Sequence, residues 1–135
     1  MASLLNPYLN FDGDARPAME FYQGVFGGEL SLMTFGEQGM ADTPHADKIM
    51  HGSLKTEQGY VLMGADAPPG TALNPGDNIT VCLSGDDADL LRGYFAKLSE
   101  GGTVSVPLEK QMWGDEYGAC TDRFGINWMV DISTG

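Results

Sequence analysis

Basic side chains are scarce in this sequence: seven Lys and Arg stand against nineteen Asp and Glu, a formal charge of −12 over 135 residues. Such a surface repels phosphate backbones and anionic lipid headgroups, and no cluster of Lys or Arg overrides it. Nucleic-acid and membrane partners are therefore not expected, whereas a cationic ligand would be attracted. Cysteine is limited to Cys82 and Cys120. Two cysteines make no disulfide framework, and reduced thiols in the cytoplasm are the expectation. No apolar run approaches the ~20 residues that cross a bilayer. The opening MASLLNPYLNF lacks the basic start and long apolar stretch of a signal peptide. No glycine-rich phosphate loop or dinucleotide fingerprint follows any strand-like run, so no nucleotide cofactor is expected.

What is present is enough for a real core. Apolar residues make up 42% of the chain and aromatics 10%, and a chain of this length buries roughly 68% of its unfolded surface as one domain. Residues 6–28 and 78–102 read as two copies of one unit. With an offset of 72, Asn6 falls on Asn78, Gly13 on Gly85, Asp14 on Asp86, Tyr22 on Tyr94 and Phe26 on Leu98. Two further residues align Gly27-Gly28 with Gly101-Gly102. Each copy runs from an apolar stretch through a Gly-Asp turn and an amphipathic helix to Gly-Gly and another strand. A repeat of this length divides one small domain into similar halves with a cleft between them.

Within the first copy, Leu4 to Phe11 has strand composition, with Pro7 tolerable near a strand start. Asp14 is placed to cap a helix whose apolar face is Ala18, Phe21, Tyr22, Val25 and Phe26, and which Gly27-Gly28 ends. Leu30 to Phe35 reads as a strand, 36–47 as an excursion, and Lys48 to Leu54 with Tyr60 to Ala65 as a hairpin around Glu57-Gln58-Gly59. Asp66 to Gly76 holds Pro68, Pro69 and Pro75 and is the expected linker. Asn78 to Leu83 then opens the second copy, with Asp86 or Asp87 as cap and Leu90, Leu91, Tyr94, Phe95 and Leu98 as the helix face. Strands follow near 103–106, 116–121 and 126–132. The expected fold is α+β: two tandem βαβββ modules, about 4–65 and 77–133, whose curved sheets enclose a shared cleft.

Pro7-Tyr8-Leu9-Asn10-Phe11, then Phe21-Tyr22 and Phe26-Gly27-Gly28, resemble the opening of the PhnB-like branch of the vicinal oxygen chelate superfamily, which includes glyoxalase I, dioxygenases and bleomycin-resistance proteins. Trp113-Gly114, Tyr117-Gly118, Asp122, Phe124-Gly125 and Trp128 stand at that branch's spacing near the end. The resemblance covers about residues 5–132 and implies paired modules and a homodimer. It also implies metal positions on the first and fourth strands of each module, usually His, Gln or Glu. Here those positions fall on Asn6, Met63, Asn78 and Met129. Two amides and two thioethers suit neither zinc nor iron or manganese, so no metal and no cofactor are expected, and both methionines read as packing in the cleft.

Of the two histidines, His45 lies in the excursion and reads as solvent-exposed. His51 lies in a strand and could serve as acid or base, with Glu109, Asp115 or Glu116 as possible partners. Trp113 and Tyr117, each followed by glycine, are placed at the cleft rim, while Trp128 and Phe124 are assigned to the core. Cys82 reads as an inert buried thiol, and Cys120 lacks a histidine partner. Members of the branch are often called quinone methyltransferases, but no site for a methyl donor is recognisable. The reading is a metal-free protein that binds a small molecule, cationic or aromatic, in a cleft lined by Asn6, Tyr8, Met63, Asn78, Trp113, Tyr117 and Met129. The alternative is an enzyme, either metal-independent through His51 or metal-dependent with displaced ligands.

Overall fold

The computed structural model describes residues 3–39, 44, 46–68 and 70–133. His45, expected at the surface, lies outside the described residues. The chain divides into two units, Met1–Pro75 and Gly76–Gly135. The first contains strand β1 (Tyr8–Phe11), helix α1 (Ala15–Phe26), β2 (Glu29–Thr34), a 3₁₀ turn at Gly36–Gln38, β3 (Ile49–Lys55) and β4 (Val61–Asp66). The second contains β5 (Val81–Gly85), α2 (Ala88–Ser99), β6 (Thr103–Lys110), β7 (Glu116–Thr121) and β8 (Asn127–Ile132). Each is a βαβββ module with a four-stranded sheet, ordered β1-β4-β3-β2 in one and β5-β8-β7-β6 in the other. The outer strand of each module, β1 or β5, pairs parallel to the module's last strand, and the other neighbours pair antiparallel. The α+β fold of two tandem βαβββ modules read from the sequence is the fold observed.

Strand alternation sorts the side chains of each sheet. In the first unit, Leu9, Phe11, Leu54 and Leu62 are buried with Ala15, Ala18, Met19, Tyr22, Val25 and Phe26 of α1. Gly52 and Gly64 are register partners on β3 and β4. A Cβ on Gly64 would stand 3.0 Å from the Met19 sulfur, and one on Gly52 would meet the Leu32 side chain at 2.8 Å. The missing side chains thus make the depression into which Met19 packs. The second unit repeats the arrangement with Leu91, Tyr94, Phe95 and Leu98 of α2 over Leu83, Cys120, Trp128, Val130 and Ile132. Each fully buried Leu, Ile or Val contributes ~1.5–3 kcal/mol.

The Gly-Gly pairs of the repeat do the same two jobs in both copies. Gly27 and Gly101 take left-handed φ values of 73° and 75°, which lets the chain turn out of the helix. Gly28 and Gly102 open the next strand, where a Cβ would strike the carbonyl oxygens of Lys55 and Thr121 respectively.

Several expectations from the sequence are corrected. The first strand begins at Tyr8, not Leu4: Pro7 has no N–H to give a ladder, and Leu4 and Leu5 are 71% and 99% exposed. The strand expected at Asn78 begins at Val81. Asp14 occupies the N-cap position of α1, but its side chain makes no capping hydrogen bond. Asp66 does that work: its Oδ1 accepts from the Gly13 and Ala15 N–H groups at 2.8 and 3.0 Å, and its Oδ2 from Ile49 N–H at 2.9 Å. Asp66 is therefore the buried end of β4, inside the stretch expected to be linker. Asp87, of the two candidates, caps α2, accepting from Leu90 N–H at 3.2 Å. Among the described residues no helix is long and apolar enough to cross a membrane.

Candidate functional site

The sheet face opposite each helix carries the chemistry. In the first unit, β1 and β4 set Tyr8 beside Met63, β4 and β3 set Met63 beside Ser53, and β3 and β2 set His51 beside Met33. Because Gly52 and Gly64 face α1, alternation turns His51, Ser53, Met63 and Tyr8 to the other side. Tyr8 Oη lies 3.0 Å from His51 Nδ1, with ring centroids 5.7 Å apart. His51 therefore has a partner in its own unit, Tyr8, which was not among the carboxylates considered for it. Burial pushes the Tyr8 phenol above its ordinary value. Asn6 precedes β1 and is half-buried, so the residue directly across from Met63 is Tyr8.

In the second unit the corresponding face holds Tyr117, Ala119, Thr121, Asn127, Met129 and Asp131, register partners along β7 and β8. A cavity of about 260 Å³ opens on it, lined by Tyr117, Ala119, Thr121, Asn127 and Met129 together with Asp77, Thr80 and Ser105. The Thr121 hydroxyl donates to Asn127 Oδ1 at 2.8 Å. Trp113 is 64% exposed and its ring centroid is 6.4 Å from that of Tyr117. Of the residues expected in the second module's share of the site, the structure brings Tyr117 and Met129 into one cavity, with Trp113 beside Tyr117. Asn78 is exposed ahead of β5, and the residue across from Met129 is Cys82.

Asp131 is the charged residue that β8 turns to this face. Burial first, then a hydrogen bond and the charge of Asp115, push its carboxyl above the usual range, and its Oδ1 is buried without a hydrogen-bond partner. Cys82, expected to be buried, is exposed. Its thiol is held above the ordinary value, by desolvation and then by the Asp131 carboxylate, which lowers its thiolate fraction. Burial pushes the Cys120 thiol up to about 11. Neither cysteine is an activated nucleophile. Glu116 is engaged elsewhere, by Arg92 of α2, whose Nε donates to it at 3.1 Å.

Trp128 is in the core as expected, and its Nε1 donates to Asp122 Oδ2 at 2.9 Å. Phe124 is only half-buried, because it sits in the β7–β8 turn. That turn is held by Asp122 Oδ1, which accepts from Phe124 and Ile126 N–H. A second cavity, about 280 Å³ around Asp12, Lys48 and Asp66, is structural: the Asp66 oxygens are taken by backbone and Lys48 donates to the Gly13 carbonyl at 3.2 Å. Sequence reasoning missed Ser53, Met33, Thr121, Asn127 and Asp131. The signal available was position alone: Ser53 stands two residues from His51 on β3, Asn127 and Asp131 stand two residues either side of Met129 on β8, and Met33 and Thr121 are cross-strand neighbours that only the register supplies.

The metal positions implied by the resemblance do not fit a divalent ion here. The donors at hand are Asn6 or Tyr8 with Met63, and Asn78 or Cys82 with Met129, a set short of imidazole and carboxylate. Among the described residues no three His, Cys, Asp or Glu side chains cluster so as to hold a metal.

Comparison with known proteins agrees with this architecture. A protein of Pseudomonas aeruginosa, PA1353, is 32% identical, covers 98% of each chain and superimposes with a TM-score of 0.87. The PhnB protein from Bacillus cereus shares the fold at 19% identity and a TM-score of 0.77, covering 97% of this chain and 100% of its own. So does the bleomycin resistance determinant encoded on transposon Tn5, at 18% identity and a TM-score of 0.60, covering 99% and 100%. Residues 4–130 match the model of one family. The chain belongs to the glyoxalase/bleomycin resistance protein/dioxygenase superfamily.

Proposed function

We propose that this protein binds a small organic molecule against the sheet faces opposite its helices, and that it does so without a metal. The observation that carries this reading is the cavity of about 260 Å³ on the second unit's sheet, walled by Tyr117 and Met129 and floored by the Thr121–Asn127 pair. Its size falls just below the ~300–1,000 Å³ of ordinary ligand pockets, and its lining sets the polar groups of Asp77, Thr80, Ser105, Thr121 and Asn127 around Tyr117, Ala119 and Met129, so that a ligand can be oriented by hydrogen bonds. Trp113 and Tyr117 offer a planar surface, and the net charge of −12 favours a cationic or aromatic ligand over an anion. The Tn5 bleomycin resistance determinant, a protein of the same fold, is a precedent for a resistance role rather than for a particular ligand. The unpaired cysteines fit a cytoplasmic location. A homodimer also belongs to this reading, supported by the exposed Leu4, Leu5, Ile79 and Met112.

The test is a titration of planar amines and neutral aromatics followed by tryptophan fluorescence. Trp128 is buried and Trp113 exposed, so a ligand near Tyr117 quenches Trp113, and Trp113→Phe removes the response. Tyr117→Ala and Met129→Ala should each weaken affinity roughly tenfold. A panel that neither quenches Trp113 nor raises the melting temperature would overturn the reading. The Tyr8–His51 hydrogen bond favours a second reading, proton transfer by His51. Conversion of a bound compound that is lost in His51→Ala would establish it.

A further inference from the structure

The first unit carries a polar cluster with unfinished hydrogen bonding. His51 and Ser53 are two residues apart on β3 and share the face opposite α1, which separates them along the strand by about 7 Å. Ser53 Oγ is buried and makes no hydrogen bond, although buried hydroxyls nearly always find a partner. Tyr8 Oη is 3.0 Å from His51 Nδ1. Its phenol is shifted upward by burial, so it stays protonated at neutral pH. A phenol is a better donor than acceptor, and a neutral imidazole nitrogen is a good acceptor. Donation from Tyr8 to Nδ1 therefore leaves the ring proton of His51 on Nε2. Two hydrogen-bond donors, His51 Nε2–H and the Ser53 hydroxyl, then stand on one face. Met33 lies across from His51, and Met63 lies between Ser53 and Tyr8. Thioethers are adaptable walls for an apolar or aromatic body.

The charge on this face decides which acceptor it takes. Glu29 and Lys55 are the charged residues that β1 to β4 turn to this side, and they are register partners of opposite sign. The face is thus locally neutral within a chain of charge −12. A carboxylate or phosphate would be repelled by the whole molecule, and an ammonium group offers donors nothing to bind. We propose that Tyr8, His51 and Ser53 form a recognition site for a neutral carbonyl group, a ketone or amide on an apolar body. In it His51 donates from Nε2 and Tyr8 is the residue that positions it. The site rests on the reading proposed above, that this protein binds a small organic molecule, and specifies the chemistry that the first unit recognises.

The chain has two histidines, so protein labelled with ¹⁵N-histidine gives one signal set for His51 and one for His45 as an internal control. In the free protein His51 should show the Nε2–H tautomer. Benzamide should shift the His51 resonances and leave those of His45 in place, while benzoate and benzylamine should not shift His51. Tyr8→Phe should give a mixed tautomer and roughly fivefold weaker benzamide binding, and Ser53→Ala a similar loss with the tautomer unchanged. A His51 protonated at Nδ1, or benzamide that leaves its resonances unmoved, would overturn the inference. Where a ligand quenches Trp113 but His51 stays still, the binding function stands and this site falls. Where neither responds to any probe, both fall.

Discussion

Asp66 and Asp122 look on paper like two more members of an acidic surface, yet each is buried and each organises a turn. Asp66 receives three backbone N–H groups, from Gly13, Ala15 and Ile49, and Asp122 receives Phe124 and Ile126 N–H and the Trp128 indole. An unsatisfied buried donor costs ~1–3 kcal/mol, so Asp66→Ala should lower stability by roughly 3 kcal/mol or more in urea unfolding. Asp66→Asn should cost less, since one accepting oxygen survives. Asp131 behaves in the opposite sense. Its folded-state carboxyl is raised, by burial and then by Asp115, so the folded state holds this proton more tightly than the unfolded chain. Its contribution is therefore full at pH below the ordinary Asp value of ~3.9 and is lost as pH rises through the folded value. Asp131→Asn should melt at the parent's temperature below that window and at a higher temperature above it, as thermal melts from pH 3 to 7 would show.

At the scale of elements, glycine placement separates the joints from the interchangeable positions. A Cβ at Gly28 would approach Thr56 Cα to 2.8 Å, and φ there is 96°. At Gly102 a Cβ would approach Asp122 Cα to 2.9 Å without a left-handed φ. Both alanine variants should be destabilised, Gly28→Ala by more than about 2 kcal/mol and beyond Gly102→Ala, because overpacking and backbone strain then add. Gly24 in α1 and Gly93 in α2 meet nothing within 4 Å. Alanine at either should stabilise the protein by ~0.8–1 kcal/mol, the helix propensity gained. The repeat itself was legible: Gly-Gly ends a helix and opens a strand in both copies. Its register was less so. The residues at the two N-cap positions are Asp14 and Asp87, and Tyr8 and Cys82 are the residues beside the two methionines, so the offset drifts by one or two residues from the 72 that letters alone suggest. Matching residues identify a repeat, but hydrogen-bond pairing fixes its register.

For the whole molecule, the donor set implies a direct measurement. Calorimetric titration of the metal-stripped protein with Zn, Ni, Mn and Fe(II) should show no tight stoichiometric binding. One ion held per chain would return the protein to the chelate enzymes and make His51 with neighbouring carboxylates the first ligands to examine. The candidate site was legible in part. His51, Tyr8, Met63, Tyr117 and Met129 could be picked out because rare residue types and end motifs drew attention to them. Ser53, Thr121, Asn127 and Asp131 could not, since Ser, Thr, Asn and Asp are ordinary strand and turn residues until their face is known.

The sequence by itself determined the family, the α+β class and the two βαβββ modules, because helix periodicity, paired glycines and end motifs are local and repeat. It also determined the acidic balance and the residue types, two amides and two thioethers, at the four positions where the resemblance places metal ligands. Only the tertiary structure decided where β1 and β5 begin, that Asp66 rather than Asp14 caps α1, that Cys82 is exposed, and that Tyr8 is the partner of His51. Each of these depends on a contact between residues distant in the chain. Tyr8 and His51, 43 residues apart, meet only because β1 pairs with β4 and β4 with β3, and no local pattern encodes that adjacency.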